Sequence, residues 1–389
     1  MEPIVTFEDF LKTYSERTRE RVRLYFRVMR LRKKYGYGSK KIAKIFGIPR
    51  SKTEGWLYRG NIPRSVKAFK FLEQMGFNLP FFISKNLNFI LFLKLLSFTF
   101  GDGGVATNFR PYFTGRKADL NVLKKEIEDT FLCFRCKIVE IKNKNSKING
   151  RVIRGHSFVL NLQSKGSYIL GRLLCAAGAP RGDKVVTPFL IPRWIVGEEK
   201  WIKTIFLNVL LGNELQAPRI DKARKTCFSS CQFRMVKTEE FLGTQRKFLN
   251  QIRGLLGEFG IQTSKIREDK PRRERKDGKI SYPLYFRIQK NKLNLYRFYK
   301  QFKLLYAKRK QEDFDNTIRI IEKSLSEELI KIRQYAETQR LRRKNLGCRR
   351  IARYLYIPEK RSMVDGWIRY GQKPIYFNQK EELEQLLKK

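Results

Sequence analysis

Apolar residues recur at helical spacing along most of the chain, and one such pattern occurs twice, at the two ends. Near the N-terminus a basic run from Leu31 leads to Ile42, Ile45 and Phe46, a stripe broken by Gly47, and then to Pro49 and Gly55-Trp56-Leu57-Tyr58-Arg59-Gly60. Near the C-terminus the same order returns as Leu341, Ile351, Ala352, Pro358 and Gly366-Trp367-Ile368-Arg369-Tyr370-Gly371. The steps from Trp56 to Pro63 and from Trp367 to Pro374 are equal. Each copy predicts a long basic helix, a short helix, a tight turn and a third helix. Gly47 supplies the break, Pro49 opens the next helix, and Trp56 and Leu57 turn that helix back onto the stripe.

The middle, about 80 to 305, also repeats, by pattern rather than identity. The first half predicts an apolar helix over 86–100 ending at Gly101-Asp102-Gly103-Gly104, a strand near 110–114, and a helix with Leu120, Leu123, Ile127 and Phe131 on one face. Strands over 136–142 and 152–163, joined by an Asn/Lys/Gly-rich turn, and a helix near 167–176 complete it. The second half predicts an apolar helix over 198–211 ending at Gly212-Asn213-Glu214 and a strand at 229–237. It continues with a helix striped by Phe248, Leu249, Ile252, Leu255, Leu256 and Phe259, strands near 263–267 and 281–289, and a helix over 291–302. Each half is therefore α-β-α-β-β-α, an α+β unit with antiparallel strands and helices gathered on one face. Tandem units imply pseudo-twofold symmetry. The expected domains are 1–78, 79–196, 197–306 and 307–389.

Charge narrows the function. The chain has 389 residues, with Lys+Arg 84 against Asp+Glu 37, a formal net charge of +47. Self-repulsion on that scale calls for a polyanionic partner, nucleic acid before anionic membrane. A single His, His156, excludes His-rich metal sites and mechanisms needing two histidines. Six Cys and no basic-then-apolar leader fit a reducing intracellular setting, the cytoplasm, associated with the nucleoid if the source is prokaryotic. The greasy segment from Phe81 to Phe100 is interrupted by Lys85, Asn86, Asn88 and Lys94 and reads as a buried helix rather than a membrane span. Cys133, Cys136, Cys227 and Cys231 could supply four thiolates for zinc. Placed where helices meet strands, they read instead as small buried hydrophobes.

The candidate chemistry lies at the ends of the two apolar helices. Each delivers an acid at its C-terminal end, Asp102 and Glu214. A carboxylate there faces the negative end of the helix dipole and calls for a cation. Carboxylates and free carbonyls are hard ligands suited to Mg²⁺ or Mn²⁺. Paired acids on a basic surface describe metal-dependent phosphodiester cleavage.

Leu95-Leu96-Ser97-Phe98-Thr99-Phe100-Gly101-Asp102-Gly103 resembles the motif of the LAGLIDADG homing endonucleases, and Leu207 to Leu215 resembles a second copy. Gly178-Ala179-Pro180-Arg181-Gly182-Asp183-Lys184, with Ile191-Pro192 and Trp194, resembles the linker before the second motif of archaeal members. The resemblance covers about 80 to 305. The two end repeats lie outside it and resemble the helix-turn-helix of DNA-binding proteins. In the first, Arg50, Ser51, Lys52 and Arg59 would face DNA; in the second, Lys360, Arg361, Ser362 and Arg369 would.

The family resemblance implies motif helices packed at the pseudo-twofold axis and a saddle of two sheets over the DNA major groove. It implies metal held by Asp102 and Glu214 with help from the carbonyls of Gly101 and Asn213, and a cut in both strands. By position it implies Lys237, a candidate catalytic group, and Arg116 or Lys117 near the metals, and Arg287 and Gln289 as base-reading or metal-shell groups. The expected protein is a monomeric, free-standing, site-specific endonuclease of double-stranded DNA using Mg²⁺, with Mn²⁺ as a substitute and no membrane partner. The alternatives are a transcriptional regulator or an RNA maturase built on a catalytically eroded copy of the fold.

Overall fold

The computed structural model describes residues 4–77, 87–141, 145–148, 151–154, 157–164, 166–220, 228–229, 231–271, 274–275 and 277–388; His156 and Cys227 lie outside them. Five helices open the chain: α1 (Phe7–Lys12), α2 (Glu16–Tyr35), α3 (Ser39–Phe46), α4 (Arg50–Leu57) and α5 (Arg64–Gln74). Thr6 and Asp9 cap α1 reciprocally, each side chain accepting from the other's backbone N–H. The α3–α4 pair has the expected helix-turn-helix order, and Gly47 takes the left-handed turn at φ +60°. Trp56 is buried edge-on against Tyr25 of α2, ring centroids 5.6 Å apart. The stripe is rotated from the expected one. Ile42 and Ala43 are buried against the neighbouring helices, while Ile45 is 50% exposed.

The first α+β half comprises α6 (Leu87–Phe100), β1 (Gly103–Val105), β2 (Pro111–Gly115), α7 (Lys117–Thr130), β3 (Cys136–Ile141), β4 (Asn145–Ile148), β5 (Arg151–Arg154), β6 (Ser157–Leu162) and α8 (Ser167–Ala176). Its sheet is antiparallel in the order β1-β2-β6-β3. Phe113, Leu160 and Ile138 stand in register toward the helices, and Leu120, Leu123 and Ile127 of α7 are buried with them. Tyr112, Asn161 and Lys137 alternate onto the other face, as period-two side chains must. The single strand expected over 152–163 is divided. β5 pairs with β4 in a separate two-stranded ribbon, and only β6 joins the sheet.

A linker with a 3₁₀ turn over Lys184–Val186 and the short α9 (Arg193–Gly197) leads to the second half. That half comprises α10 (Lys200–Glu214), β7 (Cys231–Thr238), α11 (Leu242–Glu258), β8 (Arg267–Glu268), β9 (Ser281–Ile288) and α12 (Lys292–Gln301). Its sheet runs β7-β9-β8, with Phe233 and Phe286 cross-strand partners whose rings stack at 5.4 Å. β8 is shorter than expected: it holds two residues, and Thr263 adds one isolated bridge to Ile288. Four helices follow: α13 (Lys308–Arg343), α14 (Cys348–Tyr354), α15 (Arg361–Arg369) and α16 (Lys380–Leu387).

The two apolar helices, α6 and α10, pack side by side between the halves. Phe92, Leu95, Leu96, Phe206, Leu207 and Leu210 have no exposed surface, and each such side chain stabilises the fold by about 1.5–3 kcal/mol. Ser97 Oγ donates across the pair to the carbonyl of Phe206 at 2.6 Å, which satisfies a polar group in the dry interior. Small residues set the approach at the C-terminal ends. A Cβ at Gly101 would lie 2.7 Å from Asn213 Cβ, and one at Gly212 would lie 2.2 Å from the carbonyl oxygen of Leu305. Asn208 faces the chain between α12 and α13. Its Oδ1 accepts from Lys303 N at 3.0 Å and its carbonyl from Leu305 N at 3.1 Å. One buried cluster runs through both halves and takes in Phe10, Phe69 and Leu72 of the N-terminal helices. Leu341, Ile351, Ala352, Ile357 and Val364 form a second, separate cluster. Among the described residues no helix is long and apolar enough to cross a membrane.

Glycines in these helices therefore differ sharply in tolerance. Gly212→Ala should destabilise by about 1–3 kcal/mol through overpacking against backbone. Gly254→Ala, in α11 with nothing within 4 Å of the added Cβ, should stabilise by up to about 1 kcal/mol. Urea unfolding of both variants checks the ordering; equal effects would contradict the close approach at 212.

Candidate active site

The junction of α6 and α10 places the two acids together by matching constructions. Asp102 stands just beyond α6, and its carbonyl accepts from Thr114 N of β2 at 3.1 Å and from the Thr114 hydroxyl. α10 runs farther than expected and includes Glu214 as its last residue. The chain after it is tied to β7, by a bridge from Leu215 to Phe233 and by Gln216 N donating to Gln232 O at 2.9 Å. Each acid is thus pinned between its own apolar helix and the sheet of its own half.

The two carboxylates feel each other. Burial, followed by the negative charge of Asp102, pushes Glu214 up to about 7, against the pull of Lys184 and Lys310. Asp102 keeps accessible surface, yet it stands at the foot of a recess crowded by protein, and burial raises it too, opposed by Lys310 and Lys184. Beside them opens a cavity of about 350 Å³ whose wall includes Asp102, Arg116, Asn213, Arg219, Arg309 and Lys310. Its cations and hard oxygens suit a phosphodiester.

Two lysines fill the cationic role that the helix ends demand. Lys310 Nζ donates to the carbonyls of Gly212 at 2.8 Å and Asn213 at 2.6 Å. Lys184 Nζ donates to the carbonyl of Gly103 at 2.6 Å and to that of Gly101. One lysine serves each helix terminus, so the pair repeats the pseudo-symmetry of the acids. Burial lowers the affinity of both ammoniums for their proton, and the nearby carboxylates oppose this only in part. An ammonium has three donors; two on each lysine go to carbonyls.

Neither lysine was singled out from sequence as a site residue. Lys184 closes the Gly-Asp-Lys of the linker, and Lys310 stands in a basic run with no motif around it. Asn213 carries a further signal: its Nδ2 is buried without a hydrogen-bond partner. The donor set, two carboxylates and the carbonyls of Gly101 and Asn213, fits a hard divalent cation in chemical type. In the structure those carbonyls accept from ammonium instead. No cluster of three or more His, Cys, Asp or Glu occurs among the described residues.

The other candidate residues fall into three places. Arg116 precedes α7 and lines the cavity, whereas Lys117 is exposed on the first turn of α7. Lys237, expected to be catalytic, is buried on β7. Its ammonium donates to the carbonyls of Lys184 and Thr187 and lies 3.9 Å from the Phe189 ring centroid. Burial, then the charge of Lys184, lowers it to about 8. It thereby positions the linker that carries Lys184. Arg287 is exposed on β9, 5.2 Å from the Tyr285 ring, on the sheet face that also shows Gln232 and Arg234, and Gln289 is exposed just past the end of that strand. In the end modules Arg50, Ser51, Lys360, Arg361 and Ser362 are exposed, while Lys52 is half-buried over Trp56 at 5.2 Å.

No known family profile matches the chain. It is 31% identical over 191 residues to the DNA-directed RNA polymerase subunit Rpo1N of Methanocaldococcus jannaschii, covering 48% of this chain and 14% of that protein. It is 28% identical over 218 residues to the replication factor C small subunit of the same organism, 54% of this chain and 11% of that one. A tRNA-splicing ligase RtcB of Methanopyrus kandleri is 29% identical over 178 residues, 44% of this chain and 17% of the ligase. The chain thus spans less than a fifth of the length of each of these relatives.

The electrostatics yield a stability test. Glu214 has a folded pKa of about 7, against an ordinary 4.5, so its protonated form is the one the fold favours. That contribution is fully present below about 4.5 and is lost as pH rises through 7. In EDTA, Glu214→Gln should match the wild-type melting temperature near pH 4.5 and exceed it increasingly up to pH 8. A difference independent of pH would contradict the raised pKa of Glu214.

Proposed function

We propose that the chain is a metal-dependent endonuclease of double-stranded DNA built on the LAGLIDADG plan, with a helix-turn-helix module at each end. The observation that carries this reading is the meeting of Asp102 and Glu214 at abutting helix ends, with Asp102 on the wall of a recess shared by Arg116, Arg219, Arg309 and Lys310. The net charge of +47 supplies the field that draws a duplex. The pattern of relatives fits the reading as well. About half of this chain is similar to a minor part of each of three proteins with different names, as a portable module would be.

The residues divide the work. Asp102 and Glu214, with the carbonyls of Gly101 and Asn213, would hold Mg²⁺ or Mn²⁺, which supplies Lewis acidity toward a bound phosphodiester. Lys184 and Lys310 each keep one N–H beyond their two carbonyl bonds, free for a phosphate oxygen. Lys237 holds the linker so that Lys184 stays at the helix end. Arg116 and Arg309 line the path of the backbone, and the exposed sheet faces, with Tyr112, Lys137, Gln232 and Arg287, would meet base edges. The chain would act as a monomer, because it contains both halves.

A second reading has an observation in its favour. The two acids are already balanced by two ammoniums at hydrogen-bond distance from the adjoining carbonyls. A DNA-binding regulator that never cuts would keep the same arrangement without metal.

Incubating the chain with a randomised duplex library in Mg²⁺ or in EDTA separates the two. Cutting should require Mg²⁺ and vanish in Asp102→Asn. Lys184→Met or Lys310→Met should slow it by roughly 10²–10³-fold with binding retained. The logarithm of affinity should fall linearly with that of salt, by about 0.9 per phosphate neutralised. Defined-site binding with no cutting in any divalent metal would establish the regulator instead.

A further inference from the structure

Helix α13 joins the cleft to the C-terminal module without a break. At its first turn Lys310 donates to the carbonyls of Gly212 and Asn213, and the buried carboxylate of Asp119 accepts from Lys308 N at 2.9 Å, fixing the helix start to the first half. Phe314, Ile318, Ile321 and Leu325 then run buried along the main core. Farther on, the Tyr335 ring meets Trp367 of α15 at 5.7 Å, and Gln339 Nε2 donates to the Trp367 carbonyl at 3.4 Å. The 25 residue-to-residue steps from Lys310 to Tyr335 span about 38 Å at 1.5 Å each.

The module at the far end is clamped rather than tethered. Its apolar centre, Ile351, Ile357 and Val364 with Leu341, is separate from the main core. The chain leaving it returns as α16, where Leu383 is fully buried in the main core and Glu382 accepts from Arg297 Nε of α12 at 2.8 Å. Both connections are therefore anchored. The outer surface of the module is strongly cationic: Arg349, Arg350, Arg353, Lys360, Arg361 and Arg369 are exposed against an exposed Glu359 and a half-buried Asp365. Tyr356, 91% exposed, takes the left-handed turn position at φ +54° that Gly47 holds in the first module. A bulky residue there is strained, and its ring adds a flat contact surface among the cations.

Resting on the DNA reading above, we propose that the C-terminal module is a duplex reader held by α13 in fixed register with the cleavage centre, about one turn of B-DNA away. A turn is about 34–36 Å, close to the span of the strut, so a duplex lying along α13 offers its major groove to both ends from one side. The partner segment is double-stranded DNA outside the cut site. The anchoring at both chain ends makes its spacing from the cut invariant.

The test uses the full chain and the duplex it selects from a randomised library. Four versions are compared: intact, trimmed to the core about the cut, and with about 5 or 10 bp inserted between core and flank, a half turn and a full turn. Trimming should weaken binding by about tenfold or more, and both insertions should weaken it as much as trimming does. The variant Arg350→Ala/Arg353→Ala/Arg361→Ala should bind all four versions alike, at the affinity of the trimmed one. Full affinity after the 10 bp insertion would mean a flexible tether, and equal binding of trimmed and intact duplexes would mean no second reader; either overturns the inference while leaving the endonuclease reading intact. A chain that binds no duplex at all overturns that reading, and the inference with it. Because the insertions alter only DNA, their outcome is independent of how the variant folds.

Discussion

Two helix C-termini that meet, each carrying a carboxylate, require positive charge between or beside them, and most of the molecule is arranged around that demand. The macrodipoles of α6 and α10 add their negative ends to Asp102 and Glu214. Such a junction is unfavourable in isolation, and burial, followed by the charge of Asp102, drives Glu214 toward its neutral form. Lys184 arrives from the linker and Lys310 from the start of α13, one to each helix end. The elements that join the two halves to each other and to the C-terminal helices therefore also complete the site.

The same junction explains the placement of small and polar residues along the helix pair. Gly101 and Gly212 let Asn213 and the backbone at Leu305 come close. Ser97 gives the interface one satisfied buried hydrogen bond. Asn208 turns outward to hold the chain that enters α13. Close approach of the helices, delivery of Lys310 and the direction of the long strut are thus consequences of one packing arrangement. The sheets flank it with apolar faces turned to the helices and polar faces turned away.

Much of this was legible in the sequence because it follows from periodicity and turn chemistry. The 3.6-residue spacing of Leu120, Leu123 and Ile127 has one solution, an amphipathic helix on a sheet, and all three are buried. The end modules announced themselves through Gly, Pro and Trp at repeated offsets. The β4–β5 ribbon did not, since its Lys/Asn-rich segment lacks the alternation that marks a half-buried strand. β1 was hidden by Gly103 and Gly104, which read as a turn. Ile45 was misplaced because the helices packed on α3 meet Ile42 and Ala43, a rotation that a stripe alone does not specify. In the site, the acids were legible from their positions at the ends of apolar helices. Lys184 and Lys310 were not: two lysines among 84 basic residues acquire a role only when the fold brings them to carbonyls distant in sequence. Lys237 was expected near the metals from its place on a strand, but it is buried and its partners belong to a linker about 50 residues earlier.

The central claim, that Asp102 and Glu214 form one cation-demanding centre acting on a duplex, is tested most directly by anomalous scattering from Mn²⁺ in crystals of the chain with DNA. The account expects a peak within coordination distance of both carboxylates and beside a backbone phosphate. Density showing both ammoniums still on their carbonyls, no anomalous peak between the acids and the phosphate backbone elsewhere would contradict it.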